Sequence, residues 1–124
     1  MIIVVDASAV LAVLFEEPSA NAVEDRIIGQ EMVAPVLLAF EIANACVTRK
    51  RRQPPLSLAS ADLYALYEEW RVRLVPVDYP GIIALAEAAR LTAYDASYLW
   101  LAQYLGCELV TLNRRLSRAA SAIP

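Results

Sequence analysis

The sequence predicts an α/β fold in which a parallel sheet of four or five strands is covered by helices on both faces. Four short apolar segments have the composition of buried strands, and segments with helical start and stop signals separate them. The first of these strands, Ile2–Val5, is apolar throughout, as expected for a strand that is covered on both faces. The 124 residues contain no linker, repeat or low-complexity tract, so we expect a single domain over residues 1–124.

In the first half of the chain, the boundaries of the elements follow from proline, glycine and serine. Pro18 ends the first helix, Ser19 caps the second and Gly29 closes it. Pro35 suits the first turn of a long third helix. The elements predicted here are a strand at Ile2–Val5, helices at Ala7–Glu17 and Ser19–Ile28, a strand at Met32–Ala34, and a helix from Pro35 to Arg52.

In the second half, Gln53-Pro54-Pro55 breaks the long helix, and Gly106 stops the best-defined one. The apolar segments before and after that helix are short and rich in valine and leucine, which favours strands. The elements predicted here are a helix at Ser57–Trp70, a strand at Leu74–Val77, helices at Pro80–Leu91 and Asp95–Leu105, a strand at Cys107–Leu112, and a short helix at Arg114–Ala120.

The composition is unusually apolar for a domain of this size. Hydrophobic residues make up 59% of the chain, against roughly 45–50% in typical domains. Two readings stay open: an apolar surface that a partner covers, or an alanine-rich helical protein. No apolar run reaches the roughly 18 residues of a membrane span, and the N-terminus lacks the basic segment of a signal peptide. Cys46 and Cys107 lack metal-ligand spacing and indicate reduced thiols, so we expect a cytoplasmic protein without membrane attachment.

The basic residues are clustered although the formal net charge is −3. One cluster is Arg49-Lys50-Arg51-Arg52, and the other comprises Arg114, Arg115 and Arg118. Arginine suits bidentate contacts to phosphate, but cations at helix ends also offset the helix dipole. Both clusters therefore remain candidates for nucleic-acid contact and for plain helix termination.

Three acids and one amide occupy positions that a parallel sheet would bring together. Asp6 ends the first strand, Asn113 follows the last, Asp95 opens the helix before that last strand, and Glu41 interrupts an apolar helical segment. In such folds ligands bind beyond the carboxyl ends of the strands. The chain has no histidine, which excludes serine–histidine triads, histidine-ligated zinc and a histidine base. What remains is hydrolysis assisted by Mg²⁺ or Mn²⁺ on hard oxygen ligands.

Helix capping offers a second explanation for three of these four residues. Asp6 can cap the helix that follows it, Asp95 completes a capping box with Thr92, and Asn113 can cap the final helix. Glu41 lies inside a helix and caps nothing. Capping does not require one carboxylate at a strand end, one inside a helix and one at a helix start, so the three acids together favour a shared site.

Four segments of the chain together resemble the motifs of the PIN domain family, and their order and spacing resemble the VapC toxins of bacterial and archaeal toxin–antitoxin pairs. The resemblance covers essentially the whole chain and implies a three-layer fold and a Mg²⁺- or Mn²⁺-dependent endoribonuclease. It also implies a homodimer that a cognate antitoxin inhibits, and it makes Asp6, Glu41 and Asp95 the metal-binding acids. The segments are Ile3–Ala9, Glu41–Asn44, Thr92–Leu99 and Leu109–Leu116.

The chain departs from the family pattern at Asn113, where an Asp is common. Asn keeps an oxygen but loses the charge, so a second metal position is in doubt, and Asn113 is a weak or water-mediated ligand at most. Ser8 and Thr111 match polar positions near the site that could orient a ligand or a water. Arg114 and Arg115 are the better candidates for RNA contact, and Arg49–Arg52 the lesser ones.

Three alternatives to a ribonuclease toxin follow from the same residues. A degenerate PIN-like module would bind an antitoxin or RNA without cleavage, because Asn113 replaces an acid. A receiver domain would need a lysine near its last strand and an adjacent acidic pair, but the only lysine is Lys50 and Asp6 has no acidic neighbour. A PIN-like DNA nuclease is barely distinguishable from sequence.

Overall fold

A computed structural model describes residues 1–52 and 59–122, with only the backbone described for residues 50–52. Within these residues a four-stranded parallel sheet is flanked by seven helices, so the predicted three-layer α/β class is confirmed. In chain order the elements are β1 (Ile2–Val5), α1 (Ala7–Leu14), α2 (Ala20–Ile27), β2 (Glu31–Pro35), α3 (Leu37–Arg52), α4 (Ser60–Glu68), β3 (Arg73–Val75), α5 (Tyr79–Ala89), α6 (Ala93–Leu105), β4 (Glu108–Val110) and α7 (Arg114–Ala122).

The strand order β3-β2-β1-β4 puts β1 in the middle of the sheet. Its neighbours are β2, which pairs Val33 with Val4, and β4, which pairs Val110 with Val5. All three pairings in the sheet are parallel, so every strand ends at the same edge. The residues that follow β1 and β4 therefore emerge side by side.

The core forms where the helices bury regular apolar stripes against the sheet. In α3 the buried side chains Leu38, Ile42 and Cys46 recur every four residues, which gives a continuous stripe along one face. α6 contacts β1, β2 and β4, and it buries Tyr98 and Leu101. α3 and α6 are thus fixed relative to the strands whose ends carry the candidate site.

Local signals fix several helix ends as the sequence predicts. Asp6 caps α1 by accepting from the backbone N–H of Ala9 at 3.0 Å, and Thr92 caps α6 by accepting from Asp95 N at 3.0 Å. Gly106 ends α6 in the left-handed conformation that glycine adopts without strain. Ser19 occupies the capping position of α2, but its side chain makes no capping hydrogen bond.

Several predicted boundaries differ from the structure. β3 ends at Val75 rather than Val77, and β4 ends at Val110 rather than Leu112. The first helix ends at Leu14 rather than Glu17, because Glu16 adopts a positive φ of 53° that no helix continues. Pro35 is the last residue of β2 instead of the first turn of α3. The predicted break at Gln53-Pro54-Pro55 lies outside the described residues.

Close packing of α5 on α6 depends on Gly81. A Cβ at this position would lie 2.7 Å from Nε1 of Trp100 and 2.8 Å from a carboxylate oxygen of Asp78. No helix within the described residues is both long and apolar enough to cross a bilayer.

Candidate metal centre

The centre of the candidate site is Asp6, directly after the central strand. Its backbone N–H donates to the carbonyl of Val110 at 3.3 Å, which extends the β1–β4 ladder by one residue. This register places Asp6 beside Thr111, the residue that follows β4. The parallel pairing therefore creates the contact between two residues that lie 105 positions apart.

Hydroxyl groups hold both oxygens of the Asp6 carboxylate. Ser8 Oγ donates to Oδ1 at 2.7 Å, and Thr111 Oγ1 donates to Oδ2. These hydroxyls are held in turn by backbone N–H groups, since Leu112 N donates to Ser8 Oγ at 2.9 Å and Asn113 N donates to Thr111 Oγ1 at 3.0 Å. Asp6 is thus locked in one orientation, and Ser8 and Thr111 lie where the sequence predicts supporting residues.

The surroundings of Asp6 disfavour the ionised form of its carboxyl group. Only 5% of its surface is exposed, and burial raises the pKa of its carboxyl group. The hydrogen bonds from Thr111, Ser8 and Ala9 lower that pKa, whereas the nearby charge of Asp95 raises it further.

The ion pairs in the described part of the chain are Arg26–Glu108 and Arg73–Glu31, which join exposed side chains away from the three acids. A buried carboxylate without a cation is costly, so the site favours a positively charged ligand.

Glu41 approaches the same crevice from α3. It lies inside the helix and is partly exposed, and Oε1 accepts a hydrogen bond from the hydroxyl of Tyr98. Burial raises the pKa of Glu41, the hydrogen bond from Tyr98 lowers it, and the charges of Asp6 and Asp95 raise it. The three acids therefore share one region of negative charge, as the sequence predicts.

Asp95 and Asn113 complete the crevice. Asn113 Nδ2 donates to Oδ2 of Asp95 at 3.4 Å, while its Oδ1 accepts from the backbone N–H of Leu116 at 3.1 Å. The amide oxygen, the part of Asn113 that could bind a metal, is thus occupied by the cap of α7. Asn113 thus makes both predicted kinds of contact: its oxygen caps α7, and its amide nitrogen contacts Asp95.

The acid arrangement fits a hydrated ion better than a fully protein-ligated one. Among residues 1–52 and 59–122, no three His, Cys, Asp or Glu side chains are grouped closely enough to hold one ion directly. Mg²⁺ usually keeps several waters and binds one or two carboxylates, with substrate phosphate completing its shell. Asp6 and Asp95, with Glu41 nearby, can supply such a partial set.

The predicted phosphate-contacting residues differ in their surroundings. Arg114 and Arg115 are exposed at the start of α7, immediately after Asn113. The guanidinium of Arg49 lies over the ring of Phe15, 4.5 Å from its centroid, so the residue that follows α1 holds it by a cation–π contact. The side chains of Lys50, Arg51 and Arg52 are outside the described residues.

One residue that touches the site, Tyr98, was missed by sequence reasoning. It lies one turn after Asp95 on α6 and contacts Glu41, 57 positions away. Its position in the apolar segment Tyr98-Leu99-Trp100-Leu101 resembles that of an ordinary core residue. Only the tertiary arrangement of α3 and α6, which both contact β2, reveals the hydrogen bond, and no local signal could have done so.

Comparison with known proteins gives consistent matches over nearly the whole chain. The model of the PIN domain family matches residues 3–122. VapC ribonuclease Mb0985 of Mycobacterium bovis and ribonuclease VapC9 of Mycobacterium tuberculosis are each 38% identical, over 97% of this chain and 92% of their own length. Ribonuclease VapC3 of Pyrobaculum aerophilum is 30% identical, over 99% of this chain and 98% of its own.

Among solved structures, the crystal structure of PAE2754 from Pyrobaculum aerophilum is similar, with a TM-score of 0.76. The match covers 94% of this chain and 83% of that one at 24% identity. At this level of identity, the likeness concerns the fold alone.

Proposed function

This chain belongs to the PIN domain family, and we propose that it is a Mg²⁺- or Mn²⁺-dependent endoribonuclease, the toxin of a toxin–antitoxin pair. The relatives named VapC ribonuclease support the nuclease class. The single observation that favours metal dependence is Asp6: a carboxylate with 5% exposure, held by two hydroxyls, facing the charge of Asp95, and without a cation among the described residues. A divalent ion would supply the missing positive charge.

In this proposal Asp6 and Asp95 would hold the ion, and Glu41 would bind it or orient the attacking water. A bound Mg²⁺ makes a water more acidic and neutralises charge on a phosphate oxygen. Ser8 and Thr111 keep the Asp6 carboxylate in a fixed orientation, so little reorganisation is needed when the ion binds. Asn113 restrains Asp95 through its amide nitrogen.

The RNA backbone would lie across the mouth of the crevice. Arg114 and Arg115 are exposed next to the site and are the proposed phosphate contacts. Arg49 is held against Phe15 and is a weaker candidate. As further parts of this proposal, the protein acts in the cytoplasm as a homodimer and is inhibited by a cognate antitoxin.

The alternative is a degenerate module that binds RNA or an antitoxin without cleaving. It is favoured by Asn113, whose oxygen is engaged by Leu116 N and whose side chain brings no charge to the site. The two proposals differ in one property, turnover, because both retain the fold and the exposed basic residues.

Cleavage of RNA by the purified protein tests the proposal. We expect cleavage of a single-stranded RNA with Mg²⁺ or Mn²⁺, none with EDTA, and recovery when Mg²⁺ is restored in excess. Asp95→Asn, purified in parallel, controls for contaminating ribonuclease and should be inactive. Binding of RNA without cleavage in Mg²⁺ and Mn²⁺ would favour the degenerate module, and cleavage of single-stranded DNA in preference to RNA would indicate a DNA nuclease.

A further inference from the structure

Tyr98 connects the two helices that carry Asp95 and Glu41. Its side chain is buried on α6 with 1% of its surface exposed, and its hydroxyl donates to Oε1 of Glu41 on α3. No donor among the described residues contacts Oε2 of Glu41. One oxygen of the carboxylate is therefore held by Tyr98, and the other is left for a ligand.

The hydrogen bond between Tyr98 and Glu41 also has a purely structural explanation. A buried tyrosine hydroxyl needs a hydrogen-bond partner, and Glu41 could serve only as that partner. However, a neutral carbonyl would satisfy the hydroxyl without placing a charge near Asp6 and Asp95. Tyr67 also packs in this core, and its hydroxyl has no hydrogen-bond partner among the described residues, so that hydroxyl reaches solvent. The core can thus hold a tyrosine whose hydroxyl has no carboxylate partner, and the pairing at Tyr98 calls for another reason.

The reason lies in the position of Glu41. Its carboxylate ends a flexible side chain on a partly exposed stretch of α3, and like charges on Asp6 and Asp95 repel it. Without a restraint, the side chain would turn toward water, where several rotamers are available to it. A hydrogen bond from a donor whose own ring is packed in the core opposes both tendencies.

We propose that Tyr98 is a positioning residue that keeps the Glu41 carboxylate in the crevice shared with Asp6 and Asp95. The inference rests on the proposed metal-dependent function and deepens it, because it assigns a specific task to a residue outside the acidic set. Tyr98 touches neither metal nor RNA in this account. It acts only through Glu41.

The test is Tyr98→Phe, which removes the hydroxyl and keeps the ring. Residues that orient metal ligands typically change metal affinity or activity about 10- to 100-fold. We therefore expect calorimetry to show Mn²⁺ binding about tenfold weaker, and kcat to fall within that range while KM for RNA stays nearly constant. Tyr67→Phe is the control, because it removes another tyrosine hydroxyl of this core, one that makes no hydrogen bond to the three acids, and it should leave both values unchanged.

A double-mutant cycle separates this role from general packing. If Tyr98 acts through Glu41, adding Tyr98→Phe to Glu41→Gln should weaken Mn²⁺ binding no further. An equal loss in both backgrounds, an affinity equal to the wild type in the single variant, or loss of the cooperative thermal transition would each overturn the inference. Failure of the wild type to cleave RNA would count against the proposed function alone, because the Mn²⁺ titration does not depend on turnover.

Discussion

Asn113 joins Asp95 to the final helix: its amide nitrogen lies 3.4 Å from the Asp95 carboxylate, and its amide oxygen caps α7. The amide nitrogen of Asn113 thus contacts the acidic site, while its amide oxygen caps the helix. An aspartate here could still cap α7, but it would face Asp95 with an anionic oxygen in place of a donor. The residue at position 113 therefore sets the charge of the site without changing the fold.

We predict that Asn113→Asp lowers the Mg²⁺ concentration for half-maximal cleavage or raises the stoichiometry of Mn²⁺ binding. One added charge about 4 Å from a divalent ion is worth several kcal/mol before desolvation, and a surviving 1.4 kcal/mol is about a tenfold change in affinity. Asn113→Ser keeps the cap but adds no charge, so it should not lower the midpoint. If Asn113→Asp does not shift the Mg²⁺ concentration for half-maximal cleavage, residue 113 acts only as a helix cap.

Asp6→Asn should abolish cleavage while the domain stays folded. An asparagine can still accept from Ala9 N, and its Nδ2 can donate to Thr111 Oγ1, since a hydroxyl accepts as well as donates. Because burial and Asp95 both disfavour the ionised carboxyl group, we expect the metal-free variant to unfold at the same denaturant concentration as the wild type or a higher one. A loss of more than about 2 kcal/mol in urea unfolding would show that the fold depends on the Asp6 carboxylate itself.

The stability of the metal-free protein should fall as the pH rises above the ordinary carboxyl range. The pKa values of Asp6 and Glu41 are raised in the folded state from ordinary values of 3.8 and 4.5. Below these ordinary values both states are protonated. As the pH rises, the unfolded state releases its protons first, and the free energy of unfolding decreases. This decrease ends once the pH has passed the pKa values of the folded state.

Two comparisons test whether Asp6 and the absence of metal cause this loss of stability with rising pH. Asp6→Asn should reduce the decline, and saturating Mg²⁺ should reduce it in the wild type, because the ion binds the ionised acids of the folded state only. Urea unfolding between pH 4 and 8 measures both effects. A metal-free wild type that declines no more steeply than Asp6→Asn would contradict the raised pKa of Asp6.

The presence of four strands and several helix ends could be predicted from sequence because their signals are local. Apolar runs predicted β1 and β2, and glycine and cap residues predicted the ends of α2 and α6. The convergence of Asp6, Asp95 and Asn113 also followed, since the carboxyl ends of parallel strands share one edge.

The contacts between distant side chains could not be predicted in the same way. The hydrogen bond from Thr111 to Asp6 depends on the register of β4 against β1, and the hydrogen bond from Tyr98 to Glu41 depends on how α3 and α6 each pack on the sheet. Arg49 was expected near phosphate, but its contact with Phe15 arises from the packing of α1 against α3. Such contacts join residues that are distant in sequence, and no periodic pattern of residues in the chain indicates them.

A homodimer stays a prediction, and the structure suggests where it would form. Large apolar side chains are exposed beside one another on α3, α5 and α6, around a groove of about 300 Å³ lined by Phe40, Tyr79 and Tyr94. We expect a dimer at micromolar concentration in light scattering and dissociation by Ile83→Asp, which places a charge on the same face of α5. Tyr104→Asp, on an exposed aromatic residue stacked on Trp100, is the control and should stay dimeric. A monomeric wild type would contradict the prediction.

Calorimetric titration of Mn²⁺ tests most directly whether Asp6 and Asp95, with Glu41 nearby, bind a divalent metal. We predict that the wild type binds Mn²⁺ and that Asp6→Asn and Asp95→Asn each weaken binding by at least about tenfold, since each removes one charged oxygen ligand. Both variants should retain the cooperative unfolding of the wild type, which excludes a loss of fold as the cause. Mn²⁺ affinity that is unchanged in both variants would contradict the assigned site.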